Sequence, residues 1–152
     1  MARDYSETGL RIEIRIGQWE EVAYAVWDVF GQRIYVTRER LQHIREKRRW
    51  RGQATMIKYI DRLPLVLQCP DVVIVDPQYP DGQTHIFYKY VESLTDEYGR
   101  EAWLAVVVEI TGKVNFVWTM HPRRKGKIKT ISGMETTVIY QKEQTNGTNA
   151  EG

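Results

Sequence analysis

Three apolar segments follow one another in the C-terminal half of the chain: His85 to Ser93 (HIFYKYVES), Trp103 to Ile110 (WLAVVVEI) and Val114 to Pro122 (VNFVWTMHP). Each is rich in β-branched and aromatic residues, and turn signals separate them, Asp96 to Arg100 and then Thr111-Gly112-Lys113. This pattern predicts three consecutive antiparallel strands. The middle segment is apolar at successive positions from Leu104 to Val108, as a strand covered on both faces must be, whereas its neighbours alternate apolar with polar. Polar chemistry is therefore expected on the flanking strands. Period-two alternation puts His85, Phe87 and Lys89 on one face of the first, and Val117, Thr119 and His121 on one face of the third.

A chain of 152 residues is one domain by size and can bury roughly two thirds of its unfolded surface in one core. No apolar run approaches the roughly 18 residues needed to span a bilayer, and the N-terminus carries no signal-peptide core, so no membrane partner and a cytoplasmic location are expected. Cys69 is the only cysteine, which excludes an internal disulfide and a thiolate zinc cluster. The net charge is +2, but Arg45 to Arg51 (REKRRWR) carries +4 and Arg123 to Lys129 (RRKGKIK) carries +5, leaving −7 for the rest of the chain. One such run is ordinarily a solvated face. Two of them, one with Trp50 embedded, point towards a polyanionic partner.

Upstream, Leu10, Ile12, Ile14 and Ile16 alternate with charged residues in a half-buried strand, and either two further short strands between Val22 and Val36 or a helix over Glu20 to Phe30 is expected. Thr37 is a suitable N-cap for the amphipathic helix R38ERLQHIREKRR49, whose stripe carries Leu41, Ile44 and Arg48. His43 lies one step off that stripe, with Glu39 and Lys47 four residues to either side. Gln53 to Gln68 continues the helical spacing until Pro64 kinks or ends it. Val72 to Val75 forms a hairpin with the His85 strand, Lys127 to Thr130 and Thr136 to Tyr140 suggest two more short strands, and the polar tail from 141 to 152 is expected to be disordered. The expected fold is one α+β domain over residues 1–140, with N-terminal strands and two helices packed on an antiparallel meander of about four strands.

The order Y35VTRERLQHIREKRR, a second helix ending in L67QCPDVVIVD, H85IFYKYVE, L104AVVVEI and V117WTMHP resembles the phage-associated members of the barnase, EndoU, colicin and RelE-like ribonuclease superfamily. The resemblance covers about residues 33 to 122 and rests on element order, a helical His followed by basic residues, a Pro-Asp before a strand, an aromatic-Lys pair and a late Thr in the sheet. It implies two helices packed on an antiparallel sheet and metal-independent cleavage of RNA by a toxin or effector, with RNA as partner, a cognate inhibitor protein as a further one, and no cofactor. The chain departs from the family where Arg residues and Trp50, and not a His-Pro pair, follow the helical histidine.

Cleavage of this kind needs a base for the ribose 2′-hydroxyl, a cation for the charged phosphorane and an acid for the leaving 5′-oxygen. Carried over by position, the resemblance implies His43 as acid or base, Lys89 as the sheet cation and Thr119 as a donor to a phosphate oxygen. His121, on the same face as Thr119, is the candidate second acid or base. Lys47, Arg48, Arg49 and Arg51, with Arg123, Arg124, Lys125 and Lys127, would bind backbone phosphates.

Each residue also has a structural reading: His43 as a boundary hydrogen-bonder, Lys89 as a snorkelling strand lysine, Thr119 as a strand former, His121-Pro122 as a strand end. The aromatics Tyr88, Tyr90, Phe116 and Trp118 suit core packing or base stacking. His43, His85 and His121 lie about 40 residues apart on separate elements, without the spacing of a zinc site. The competing functional class is a silent relative that binds nucleic acid or protein without cutting.

Overall fold

Leu104, Val106 and Val108 are fully buried against one layer, while Ala105 and Val107 pack against another. The strand that holds them, β6 (Glu101–Ile110), is thus covered on both faces, as its unbroken apolar run requires. The computed structural model describes residues 5–79 and 83–143. Its main sheet has eight strands in the order β1-β2-β3-β7-β6-β5-β4-β10. These are β1 (Arg11–Arg15), β2 (Gln18–Trp27), β3 (Arg33–Thr37), β4 (Val72–Val75), β5 (Thr84–Thr95), β7 (Asn115–Arg123) and β10 (Thr137–Gln141), with β6 between β5 and β7. A small hairpin, β8 (Thr130–Ile131) with β9 (Met134–Glu135), turns at Ser132-Gly133, where both residues take positive φ.

The meander expected over β5 to β7 is present, with Lys89 opposite Leu104, and His121 opposite Ala105. The expected four-stranded antiparallel sheet is, however, only the middle of a larger mixed one. The N-terminal strands join it through a parallel pairing of β3 with β7, limited to Ile34 with Asn115 and Tyr35 with Phe116, and β10 closes the other end on β4. Parallel pairing across a long crossover leaves no local turn signal, which is why hairpin patterns alone miss it. β10 runs through Gln141, the first residue of the expected tail, and residues 144–152 of that tail lie outside the described residues.

One helical layer covers one face. α1 (Arg38–Trp50) starts where predicted: Thr37 has extended backbone and its hydroxyl accepts from the Arg40 amide at 3.2 Å while donating to buried Glu20 at 2.6 Å. Gly52 at positive φ then ends the helix. The expected helix from Gln53 to Gln68 is a 3-10 segment, Ala54–Arg62, followed by the short α2 (Leu63–Gln68). Pro64 opens α2 and does not end it, because proline's fixed φ and missing N–H suit a first helical turn. Ile44, Met56, Tyr59, Ile60, Leu63, Val66 and Leu67 from this layer meet Phe87, Leu104, Val106, Val117 and Met120 of the sheet. On the opposite face Ile74, Ile86, Tyr88 and Ala105 are covered by Ile128 and Ile131.

β7 carries a bulge: Val107 faces Thr119, but Val108 faces Val117, so Trp118 is extra. The bulge reverses the phase of the strand. Val117 therefore sits with Met120 in the helix-side core, whereas Thr119 and His121 point to the opposite face with Val107 and Ala105, contrary to the shared face expected from simple alternation.

Because Thr37 both caps α1 and ties its start to β2, Thr37→Ala should lower unfolding free energy by about 1–2 kcal/mol, with Thr37→Ser retaining most of it. Urea denaturation midpoints at equal m-values test this.

Candidate functional site

Beyond Phe116 the edge of β7 facing β3 has no strand partner among the described residues. α1 packs there instead. Its N-terminal half is fixed by Trp118, whose ring carries Arg40 and Arg15, each 4.4 Å from the centroid. Its C-terminal end consequently overhangs the face of the sheet that holds Thr119 and His121.

A groove of about 490 Å³ lies between them. Helix α1 and the turn after it supply Lys47, Arg48, Arg51 and Gln53; β7 supplies Thr119, His121 and Arg123; the segment following β7 supplies Arg124 and Lys127. The β5–β6 hairpin adds Asp96, Glu97 and Arg100, and Gln78 bridges to Ser132 at the rim. Two basic runs more than seventy residues apart in sequence thus face one another across one depression, with seven cations against two carboxylates. Arg49 and Lys125, the other two predicted phosphate binders, are exposed but lie outside the lining.

Arg48 is 3 % exposed. Its guanidinium donates to the Gln53 side-chain oxygen Oε1, and Gln53 Nε2 donates to Glu97 at 2.8 Å, a relay that ties the helix end to the β5–β6 hairpin. Burial, and then the nearby Arg51, pull the Arg48 pKa down to about 10, so it remains a cation. Its Nε and the hydroxyl of Thr119, itself 7 % exposed, have no hydrogen-bond partner among the described residues. Buried polar atoms are rarely left so. Both belong to residues that line the groove.

His121 is half-buried. Desolvation, then Arg123, Arg48, Lys47 and Arg51, hold it well below the ordinary imidazole range. His43 sits one turn before Lys47, and burial followed by Arg40, Lys47 and Arg48 lowers it too. The two imidazoles share the field of Lys47 and Arg48, but His121 lines the groove and His43 does not. His85 lies elsewhere: its register puts it on the helix-side face with Phe87, edge-on to Phe30 at 6.5 Å, so the three histidines do not converge.

Lys89 does not reach the groove. It shares the helix-side face with Leu104, donates to the Cys69 carbonyl at 2.7 Å and lies 4.0 Å from Asp71. The cation that sits beside His121 is Arg123, which extends over the buried Tyr88 hydroxyl at 3.4 Å. Of the aromatics, Tyr88 and Phe116 are fully buried and so unavailable to a base. Gln53 and the acidic hairpin escaped the sequence reading. The signal that could have found them is Arg48 itself, a charge on an apolar stripe that must have a buried partner.

A family model, the phage-Barnase-EndoU-ColicinE5/D-RelE like nuclease 2, matches residues 15–141. The chain belongs to this family. No curated protein and no solved structure matches it. The match to this phage nuclease family takes in β2 through β10 and hence every element that lines the groove.

A histidine kept neutral by the fold binds its proton more weakly than in the unfolded chain, whose imidazole has the ordinary value of 6.5. The unfolded state then carries more protons below that pH, and stability falls as pH drops from there towards the folded value. His121→Asn should flatten this fall; urea titrations between about pH 7 and pH 5 compare the two slopes.

Proposed function

We propose that this nuclease-family domain cleaves RNA at the groove by attack of a ribose 2′-hydroxyl on the adjacent phosphorus, without a metal ion. The observation that carries the reading is the convergence, in one cationic groove, of His121, the unpartnered Thr119 hydroxyl and the cations Lys47, Arg48, Arg51 and Arg123. RNA is favoured as substrate because the groove offers an imidazole and cations, the groups needed when the nucleophile is part of the substrate.

In this scheme the neutral His121 imidazole takes the 2′-hydroxyl proton. The freed oxygen bonds to phosphorus, and the bond from phosphorus to the 5′-oxygen breaks. His43, charged by then in the field of the bound phosphate, returns a proton to that 5′-oxygen. The products are a 2′,3′-cyclic phosphate and a 5′-hydroxyl. Arg48 Nε, Arg123 and Lys47 face the growing negative charge, and Thr119 donates to a non-bridging oxygen. Lys89 has no part in this scheme, since its ammonium is held by Cys69 and Asp71 on the other face.

The test is digestion of total RNA by the purified protein in excess EDTA. Wild type is expected to leave cyclic-phosphate ends, His121→Asn to lose about a hundredfold or more in rate, and Lys89→Met to cut like wild type. Intact RNA, or His121→Asn as active as wild type, overturns the catalytic reading. RNA retained with a steep salt dependence yet uncut would identify a silent, binding member of the family.

A further inference from the structure

Helix α1 ends in a backbone turn that frequently closes on an apolar pair. Gly52, at positive φ, donates its amide to the Arg49 carbonyl at 3.2 Å, and Gln53 donates its amide to the Arg48 carbonyl at 2.7 Å. In a helix ending of this kind the residue after the glycine packs on the residue five before it, most often through apolar side chains. Here the pair is Arg48 and Gln53, 3 % and 5 % exposed, joined by a side-chain hydrogen bond. Two apolar residues of similar volume would hold the turn without a buried charge to compensate. The polar pair therefore calls for a reason other than stability.

A guanidinium can only donate and a carboxylate can only accept. Placed between Arg48 and Glu97, the Gln53 amide has one usable orientation, oxygen towards Arg48 and nitrogen towards Glu97. Glu97 is an exposed residue at the tip of the β5–β6 hairpin. The tip keeps its own shape through Asp96, which accepts from the Tyr98 and Arg100 amides at 2.9 and 3.0 Å and from Arg100 Nε at 3.1 Å. Glu97 instead reaches outwards to the helix end. The pairing of β5 with β6 breaks between Tyr90 and Thr95, where Ser93 has a φ of 71°, so the regular ladder does not carry through to the tip. The relay through Gln53 thus sets helix end and tip relative to one another.

Its second consequence falls on Arg48. One terminal nitrogen of the guanidinium is held by Gln53, and Nε is left unpartnered among the described residues. An arginine side chain has many rotamers, and this contact selects one of them. Glu97 also has an opposing effect, because a carboxylate in a cationic groove repels phosphate. The two effects have opposite signs and can be separated.

We infer that Gln53 and Glu97 are positioning residues: Glu97 fixes the Gln53 amide, and Gln53 holds the Arg48 guanidinium so that its Nε meets the phosphate as the bond to the 5′-oxygen breaks. This rests on the nuclease reading of the groove and adds two residues that touch no reacting atom.

The experiment measures steady-state cleavage of RNA by wild type, Gln53→Leu, Glu97→Leu and Glu97→Gln, and repeats Gln53→Leu in an Arg48→Met background. Gln53→Leu and Glu97→Leu should each lower kcat about tenfold or more. The KM of Glu97→Leu should be unchanged or lower, since a repelling charge has gone. Glu97→Gln should keep most of kcat, because its amide oxygen still accepts from Gln53. In the Arg48→Met background Gln53→Leu should cause no further loss. Unchanged kcat in both leucine variants, or an equal Gln53→Leu loss with and without Arg48, overturns the inference. Should Gln53→Leu fail to fold, the two Glu97 variants decide alone.

A second readout needs no cutting: the NMR resonance of the Arg48 Nε–H, titrated with inorganic phosphate. Wild type and Glu97→Gln should shift, and Gln53→Leu should need about tenfold more phosphate for the same shift. A Gln53-dependent shift in a protein that leaves RNA intact sinks the nuclease reading and keeps this one. Cutting by both leucine variants at the wild-type kcat does the reverse. Neither cutting nor a shift in wild type sinks both.

Discussion

Two residues of parallel pairing, Ile34 with Asn115 and Tyr35 with Phe116, decide where the groove can form. Had β3 and β7 stayed paired along their length, β7 would be an interior strand with both edges satisfied, and α1 would have to lie flat on the helix-side face. Because the pairing stops, the chain leaving Thr37 is free to turn into a helix beside β7. The Thr37 cap and the stacking of Arg40 on Trp118 fix its direction there. A bulge at Trp118 then rotates Thr119 and His121 to the face that the helix end overhangs. Helix, bulge and broken pairing together bring a histidine strand and a basic helix to one place.

The electrostatic arrangement follows from that geometry and opposes stability. Lys47, Arg48, Arg51, Arg123, Arg124 and Lys127 crowd around a single depression, and desolvation together with mutual repulsion lowers the pKa of Lys47 as well as Arg48. A buried guanidinium is tolerated only when hydrogen-bonded, and the Gln53 to Glu97 relay meets part of that need. What it leaves open is Arg48 Nε and, a strand away, Thr119 Oγ1.

Much of this was legible in the sequence and some was not, for identifiable reasons. The β5–β7 meander, the Thr37-capped helix and the two basic runs are local patterns, and local patterns survive folding. Residue periodicity, by contrast, assumes an unbroken strand. The Trp118 bulge shifts the phase, so Val117 left the face assigned to it while Thr119 and His121 kept theirs. Lys89 shows a different limit: it is correctly a strand residue, yet which face of a sheet meets the helix end depends on the crossover, not on β5. Family position suggested Lys89 as the sheet cation; topology puts Arg123 beside His121 instead.

The lowered imidazoles give the groove a further property. His43 and His121 are disfavoured as cations chiefly by burial and then by the same two neighbours, Lys47 and Arg48. A phosphodiester entering among those cations neutralises part of their field, and the proton affinity of both rings must rise. Linkage makes this reciprocal: whatever a bound phosphate adds to the imidazole's hold on its proton, the proton adds to the protein's hold on phosphate. On the proposed mechanism the free protein therefore keeps a neutral base ready at His121, and the acid form of the second imidazole is produced by the substrate itself. The depressed pKa values, awkward for an acid in the empty groove, are what such a division of roles requires.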